Sequence, residues 1–200
     1  MSDVAILDDE DPREYHSPFD LALNPAALET FKWLVLGHVL YVIGLAIVLY
    51  FHIDNGAVWI TPLFGLPFVW QERHHRFAVK ALVFFVGFTL MHYVALKTVS
   101  GISGDEVGFL RGFVGGAIGA GGCLLLCAIF GLLRKGSSLT FEAFGTVLLG
   151  AVGSFCLYLY LTTGATGNSF VSDLVQPLKI YTPWQVVFAY VLARVLRPAG

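Results

Sequence analysis

The chain consists of long apolar runs separated by short polar breaks. The four longest runs cover residues 33–51, 77–96, 109–133 and 141–163. About 20 helical residues, each rising about 1.5 Å, cross a hydrocarbon core of about 30 Å. The pattern therefore predicts four membrane-spanning helices.

A fifth apolar segment, residues 57–70, is shorter and contains Pro62, Gly65 and Pro67. Proline inside a helix removes a backbone N–H donor and clashes with the preceding turn. This segment is therefore expected to be either a short broken span or a re-entrant loop.

The last apolar segment follows a polar connection and begins with Thr182, Pro183, Trp184 and Gln185. These are the residue types of a capping box with proline at the first helical position. We expect a helix over residues 183–197, about 22 Å long and marginal for a span. Because its apolar face opposes a polar face that includes Gln185, an amphipathic helix lying in the membrane interface is the alternative.

The distribution of basic residues favours six spans. If both short segments cross, three of the 12 Lys and Arg residues fall on one side, namely Lys97, Arg111 and Lys179. The other side then holds Arg13, Lys32, Arg73, Arg76, Lys80, Arg134, Lys135, Arg194 and Arg197. Basic residues concentrate on the cytoplasmic side of membrane proteins. We therefore expect an all-α polytopic transmembrane helical bundle of about six spans in a cell membrane of the bacterial inner-membrane type, with both termini cytoplasmic.

The predicted domain organisation is one transmembrane domain with short tails. Residues 1–23 are rich in acids and lack the basic start and apolar core of a signal peptide, so they predict an uncleaved, disordered cytoplasmic tail. Asn24 followed by Pro25 predicts a helix N-cap and first helical position. Residues 24–197 form the predicted transmembrane domain, and residues 198–200 form a C-terminal tail.

The composition is typical of a protein whose surface is mainly in contact with lipid, because 56% of the residues are apolar and only 13% are charged. The formal net charge of −2 lacks the basic excess typical of nucleic-acid-binding proteins. Cys123, Cys127 and Cys156 lie in apolar runs and are expected to be reduced and packed. The expected partners are the lipid bilayer and either a second copy or a membrane-complex subunit, with no nucleic acid.

The run at 109–133 carries small residues at four-residue spacing. Such a row forms a groove that lets another helix approach closely, which stabilises helix pairs in lipid. The groove predicts packing against the 141–163 run, contact with a second copy, or a moving gate. The predicted helix-packing residues are Gly112, Gly115, Gly116, Gly119, Cys123 and Gly131.

Histidines are the main candidates for cofactor chemistry. His38, His52 and His92 are candidate haem ligands, since imidazole ligates iron and the first two lie on nearly one helix face. Two imidazoles and a carboxylate also suit zinc or iron, which makes His52, Asp54 and His92 candidate metal ligands. Histidines at a membrane interface more commonly hydrogen-bond backbone or headgroups, and no cofactor is expected.

A basic cluster separates residues 57–70 from the next run. Its residues are Arg73, His74, His75 and Arg76. A basic loop on the cytoplasmic side sets membrane orientation. The alternative hypothesis is that the cluster binds anionic lipid headgroups or an acidic partner, with the acidic N-terminal tail as a competitor.

The motifs do not support catalysis, because the spans hold no paired acids and the chain has no H-E-x-x-H or Walker-type sequence. A non-enzymatic scaffold, assembly factor or small subunit of a membrane complex explains the pattern with the fewest assumptions. The alternative is a small transporter or channel for uncharged or weakly polar cargo, favoured by the proline-broken segment. The second alternative is a haem- or metal-binding membrane redox protein.

Overall fold

The computed structural model describes residues 23–74, 76–106, 108–134, 139–163 and 170–197. Its helices are α1 (Pro25–Tyr50), α2 (Pro62–Gln71), α3 (Phe77–Ser100), α4 (Phe109–Ile129), α5 (Leu139–Thr162) and α6 (Phe170–Val195). A single helical turn, Gly56–Trp59, precedes α2, and α3 contains a π-helical segment, Leu82–Gly87. The predicted tails, apart from residue 23, lie outside the described residues.

Four helical segments are long and apolar enough to cross a membrane: Pro25–Tyr50, Phe77–Ser100, Phe109–Ile129 and Phe141–Thr162. They correspond to the four longest apolar runs, so the prediction of four spans is confirmed. Large apolar side chains cover their outward faces, as with Ile47 on α1 and Leu125 on α4, which are 51% and 60% exposed. The chain is a multi-pass, all-α membrane protein.

The start of α1 follows the predicted capping pattern. Oδ1 of Asn24 accepts a hydrogen bond from the backbone N–H of Ala27 at 2.8 Å, and Pro25 occupies the first turn. The Asn24 side chain thereby satisfies one of the N–H groups that the first helical turn leaves unpaired.

The prediction for the last helix was wrong at its N-terminal end. The helix α6 begins at Phe170 and continues through Pro177 and Pro183, so no capping box starts at residue 182. Each proline removes one backbone donor, but α6 packs against both α1 and α5, and this packing outweighs the local preference. Gln185 is only 6% exposed, so it does not belong to a polar, water-facing surface.

The six helices form a closed ring in chain order. Each helix packs against the next one, and α6 returns to pack against α1. Short connections make successive helices antiparallel. One end of the ring, the basic end, holds Arg76, Arg134 and Arg197; the opposite end, the Tyr50 end, holds Tyr50, whose ring lies 6.1 Å from that of Phe170.

Backbone contacts at the basic end close the ring. Arg134 donates from its backbone N–H to the carbonyl of Val195, and from Nε to the carbonyl of Leu196 at 2.8 Å. The backbone N–H of Arg197 donates in return to the carbonyl of Leu132 at 2.8 Å. Burial, followed by the like charge of Arg194, lowers the pKa of the Arg134 guanidinium from its usual value. These bonds fasten the end of α6 to the segment between α4 and α5.

The interior of the ring near the basic end is filled by aromatic side chains. The rings of Phe84 and Phe88 lie 4.5 Å apart, and the rings of Phe68 and Phe84 lie 5.0 Å apart. Phe188 of α6 completes this aromatic cluster at 5.7 Å from Phe88. These rings supply much of the packing that fills the interior, since offset and tilted ring pairs pack favourably.

A buried ion pair lies beside the aromatic cluster. Nζ of Lys80 bonds Oε2 of Glu72, and the two side chains are 5% and 9% exposed. The same ammonium lies 5.7 Å from the ring centre of Phe68. Since an unpaired charge in this position would be costly, the two charges are expected to depend on each other.

Glycines set the closest helix contacts. A Cβ atom at Gly112 or Gly116 would overlap the backbone of α5 at Gly153 or Leu149. A Cβ atom at Gly37 of α1 would overlap the carbonyl group of Phe64 in α2. In lipid, such backbone contact stabilises helix pairs by dispersion and weak Cα–H contacts.

Candidate functional site

A partly open cavity of about 180 Å³ lies between the helices of the ring, in the half nearer the Tyr50 end. Residues from α2 to α6, together with Thr61 immediately before α2, line it. Phe88 and Phe188 form its boundary with the aromatic cluster, and Val99 and Leu157 line it nearer the Tyr50 end. The walls are mainly apolar, which is typical of sites that bind small molecules.

Small residues of α4 create part of this space. Gly119 faces the cavity, and a Cβ atom there would still lie 3.4 Å from the Trp184 ring and 4.0 Å from Cβ of Ala95. These are ordinary van der Waals distances, so Gly119 does not bring two backbones together. Its missing side chain instead leaves room inside the ring.

His92 of α3 contributes a polar group to the cavity wall. Its Nδ1 lies 2.8 Å from Oγ1 of Thr61, and its Nε2 lies 3.4 Å from the hydroxyl of Tyr181. The Tyr181 ring lies 5.3 Å from the ring of Tyr41, whose hydroxyl donates to the carbonyl of Ala57 at 3.1 Å. This polar network joins α1, α3 and α6 to the segment before α2.

A second buried polar pair lies one turn further along α6. Nδ1 of His38 lies 2.8 Å from Oε1 of Gln185, and both residues are 6% exposed. The imidazole is the donor in this bond, because an amide oxygen accepts only. Since Gln185 is four residues after Tyr181, the two pairs are about 6 Å apart along the helix axis.

Two residues of the cavity lining carry an N–H group that is buried without an acceptor in the described part of the chain. The two groups are Nε1 of Trp184 and Nε of Arg111. Arg111 is held by Asp105: its backbone N–H donates to Oδ2 at 2.7 Å, and its Nε lies 3.6 Å from the same oxygen. A bound molecule with a hydrogen-bond acceptor would satisfy such groups.

The histidines predicted for cofactor binding occupy different environments. His38 and His92 lie inside the ring in the hydrogen bonds described above, whereas His52 and Asp54 are exposed beyond the end of α1. The expectation that His52 continues the α1 face was wrong, because the helix ends at Tyr50 and His52 has a φ of 51°. Among the described residues, no three His, Cys, Asp or Glu side chains are grouped as a metal would require.

The predicted helix-packing residues separate into several environments. Gly112 and Gly116 contact the backbone of α5, whereas a Cβ atom at Gly115 would meet Val99 of α3. Gly119 lines the cavity, and Cys123 is a buried free thiol that also borders it. The remaining residue of the set is Gly131, which follows α4 with a φ of 64°.

The residues of the basic cluster also lie in different environments. Nη1 and Nη2 of Arg76 donate to the carbonyls of Gly131 and Phe130 at 2.8 and 2.9 Å. Arg73 lies over the Trp70 ring at 5.5 Å, and His74 is exposed. The remaining residue of the cluster, His75, lies outside the described residues. Arg76 therefore caps the C-terminus of α4, a role that the sequence pattern did not indicate.

The sequence also did not single out the residues of α6 that line the cavity. Tyr181 and Gln185 are four residues apart and share a helix face, and Trp184 lies beside them. The sequence signal that could have identified these residues was the spacing of polar groups on one face of an apolar helix. It was obscured because Pro183 was interpreted as the start of the helix.

The chain matches no protein-family model, and no curated protein or solved structure is significantly similar to it.

Proposed function

We propose that this membrane protein is a small transporter that binds an uncharged or weakly polar molecule inside its helical ring. The observation that carries the proposal is the cavity of about 180 Å³, with mainly apolar walls and a few converging polar groups. Its boundary at Phe88 and Phe188 adjoins the aromatic cluster, so a bound molecule would be screened from the basic end.

The charges near the cavity favour uncharged cargo. Arg111 is the basic residue in the lining, and Asp105 lies within ion-pair distance of it. Among the other polar groups in the lining, His92 and Oε1 of Gln185 are engaged in hydrogen bonds between side chains. An ion entering this cavity would exchange its water for a nearly neutral, apolar surrounding, which is costly.

Six membrane crossings with both termini cytoplasmic are part of the proposal. The closed ring of antiparallel helices supports it, since α2 and α6 occupy positions in the ring equivalent to those of the four helices that are long and apolar enough to span. Arg76, Arg134 and Arg197 meet at one end, as the positive-inside rule favours for a cytoplasmic surface.

Transport also requires a segment that moves, and α2 is the best candidate. It is only ten residues long, contains Pro67, and is separated from the preceding helical turn at Ile60 and Thr61. Broken helices of this kind line the substrate sites of many transporters. Thr61, at the break, both lines the cavity and contacts His92.

Solute entry into proteoliposomes tests this proposal. The purified full-length protein is reconstituted, and entry of acetamide, N-methylacetamide, N,N-dimethylacetamide and N,N-diethylacetamide is followed by light scattering after osmotic shock. We expect at least one solute to enter faster than in protein-free liposomes, and Gly119→Leu to abolish the difference by filling the cavity. Gly101→Leu is the matched control, because Gly101 is exposed at the end of α3 and has no close contact with another helix. Equal entry in all samples for all four solutes would overturn transport.

A scaffold or small-subunit role is the second candidate. It is favoured by the broad apolar outer surface, on which Ile129 and Phe155 are 67% and 58% exposed. A partner would bind that surface, because the tightest part of the α4 groove is occupied by α5. Co-purification after mild extraction separates the two roles: loss of a partner in Leu125→Ala/Ile129→Ala, but not in Gly119→Leu, supports the scaffold.

A further inference from the structure

Two residues that line the cavity carry hydrogen-bond donors that lack a protein acceptor in the part of the chain that the structure describes. Nε1 of Trp184 and Nε of Arg111 are buried and have no acceptor among the described residues. Both residues border the same cavity, as does Gln185. Because buried donors without partners are rare, these groups indicate what a bound molecule must supply.

Gln185 adds to these donors. Its Oε1 is occupied by His38 at 2.8 Å, which leaves the amide nitrogen with its two N–H groups to donate. The side chain is held within the ring by that bond and is only 6% exposed. The amide therefore has a defined orientation before any ligand binds.

The charge at the site argues against an anionic ligand. Arg111 would attract a carboxylate, but Oδ2 of Asp105 already lies 3.6 Å from its Nε and accepts from its backbone N–H. The pair carries no net charge, and the Asp105 carboxylate would repel a second one. A neutral acceptor, such as a carbonyl oxygen, satisfies the donors without this repulsion.

The size of the cavity limits the ligand as well. A water molecule needs about 10–15 Å³ of such space, so a cavity of about 180 Å³ holds roughly 12 to 18 non-hydrogen atoms. The apolar walls formed by Phe88, Phe188 and Leu157 suit a hydrocarbon or aromatic body.

We propose that the cavity binds a neutral, mainly apolar molecule of roughly this size whose polar group is a hydrogen-bond acceptor, such as a ketone, ester or tertiary amide carbonyl. The inference rests on the proposed function, because it specifies the cargo. Trp184 and Gln185 select the carbonyl by donating to it, and Arg111 lies within the same lining.

Fluorinated probes of one shape test this selection. The purified full-length protein in detergent is titrated with 4-fluoroacetophenone, 1-ethyl-4-fluorobenzene and 4-fluorobenzoate, and binding is followed by ¹⁹F NMR. Each titration is repeated with Gly119→Leu, and with Ala95→Leu as a second cavity-filling variant, to subtract partition into detergent. We expect the ketone to bind about tenfold more tightly than the hydrocarbon, with 4-fluorobenzoate the weakest.

Two variants then assign the preference to the donors. Trp184→Phe removes the indole N–H and keeps an aromatic ring, while Gln185→Glu keeps an acceptor for His38 and removes the amide donor. Each is expected to lower the preference for the ketone about threefold to fivefold, with hydrocarbon binding unchanged. An unchanged preference in both variants would overturn the role of the donors.

The possible failures are distinct. Equal affinity for the ketone and the hydrocarbon, both lost in the cavity-filling variants, would overturn the acceptor selection and leave the cavity as a binding site. Tightest binding of 4-fluorobenzoate would overturn the neutral ligand. If no probe binds the wild type better than the cavity-filling variants, the proposed function fails together with this inference.

Discussion

Nδ1 of His38 lies 2.8 Å from Oε1 of Gln185, and this buried bond joins the first helix of the ring to the last. The two residues are 147 positions apart in the chain. Both are 6% exposed, so neither gains hydrogen bonds from water in place of this one. The pair therefore contributes to closing the ring as well as to orienting the amide at the cavity.

Removing one member of this pair is expected to destabilise the protein. Gln185→Met leaves the His38 imidazole buried without its partner and should lower the free energy of unfolding by about 1–3 kcal/mol. Thermal unfolding in detergent measures the effect. The double variant His38→Phe/Gln185→Met should recover part of the loss, since it leaves no unpaired group; a Gln185→Met protein as stable as the wild type contradicts the prediction.

The contact between α4 and α5 predicts a difference between two glycines of one helix. Gly116→Ala places a methyl group against the carbonyl of Leu149, so the helices must separate, at a cost of about 1–3 kcal/mol. Gly119→Ala makes only ordinary contacts with Trp184 and should be tolerated. Unfolding temperatures of both variants, measured side by side, check this; an equal effect of both substitutions argues against the backbone contact.

The two arginines of the basic cluster are expected to differ in their effect on stability. Arg76→Ala removes two hydrogen bonds to the carbonyls of Phe130 and Gly131, which directly follow α4, and should cost about 1 kcal/mol, because these exposed bonds compete with water. Arg73→Ala removes a contact with Trp70, which lies only three residues earlier in the chain, and should change stability much less. Chemical denaturation of the purified variants distinguishes them, and the reverse order would contradict the capping role.

The buried ion pair predicts strong coupling between its members. Lys80→Met leaves the Glu72 carboxylate buried without its partner, with an expected loss of about 3–5 kcal/mol. Lys80→Met/Glu72→Gln removes both charges and should be more stable than the single variant. A double-mutant cycle of unfolding free energies measures the coupling, and additive effects of the two substitutions would exclude it.

Thiol labelling tests the six crossings. Cys123, Cys127 and Cys156 are buried, and a background without them accepts single cysteines at exposed positions, namely Asp54→Cys, Arg73→Cys, Ser103→Cys and Arg197→Cys. In intact cells, a membrane-impermeant thiol reagent is expected to label Asp54→Cys and Ser103→Cys, and to reach the other two only after permeabilisation. Labelling of Asp54→Cys and Arg73→Cys from one side would show that α2 does not cross, and labelling of Arg197→Cys from outside would show the same of α6.

Helix bounds that depend on local sequence were predicted correctly, whereas a bound that depends on tertiary packing was not. The four candidate spans are long apolar runs, and the start of α1 is set by Asn24 and Pro25 themselves, so local chemistry decided them. The start of α6 was predicted incorrectly at Pro183. A proline disfavours a helix interior, but packing against α1 and α5 outweighs that preference, and such packing is not visible in a local pattern.

The sequence indicated some residues of the candidate site but not the contacts that bring them together. The small-residue spacing in residues 109–133 indicated close packing, and Gly112 and Gly116 lie in such a contact. The close approach of Gly37 to Phe64 was not predicted, because no comparable repeat surrounds Gly37. Likewise, His38 and His92 stood out as residues able to carry chemistry, whereas their partners on α6 did not.

By itself, the sequence determined that the chain is a multi-pass membrane protein of long apolar helices, because transfer of apolar segments into lipid depends on composition and length alone. The tertiary structure alone decided which faces of those helices point inward. The lining of the cavity is assembled from distant parts of the chain, since Thr61, His92, Arg111 and Gln185 converge when α6 closes the ring onto α1. That convergence depends on the order and rotation of the packed helices, which many distant contacts set together.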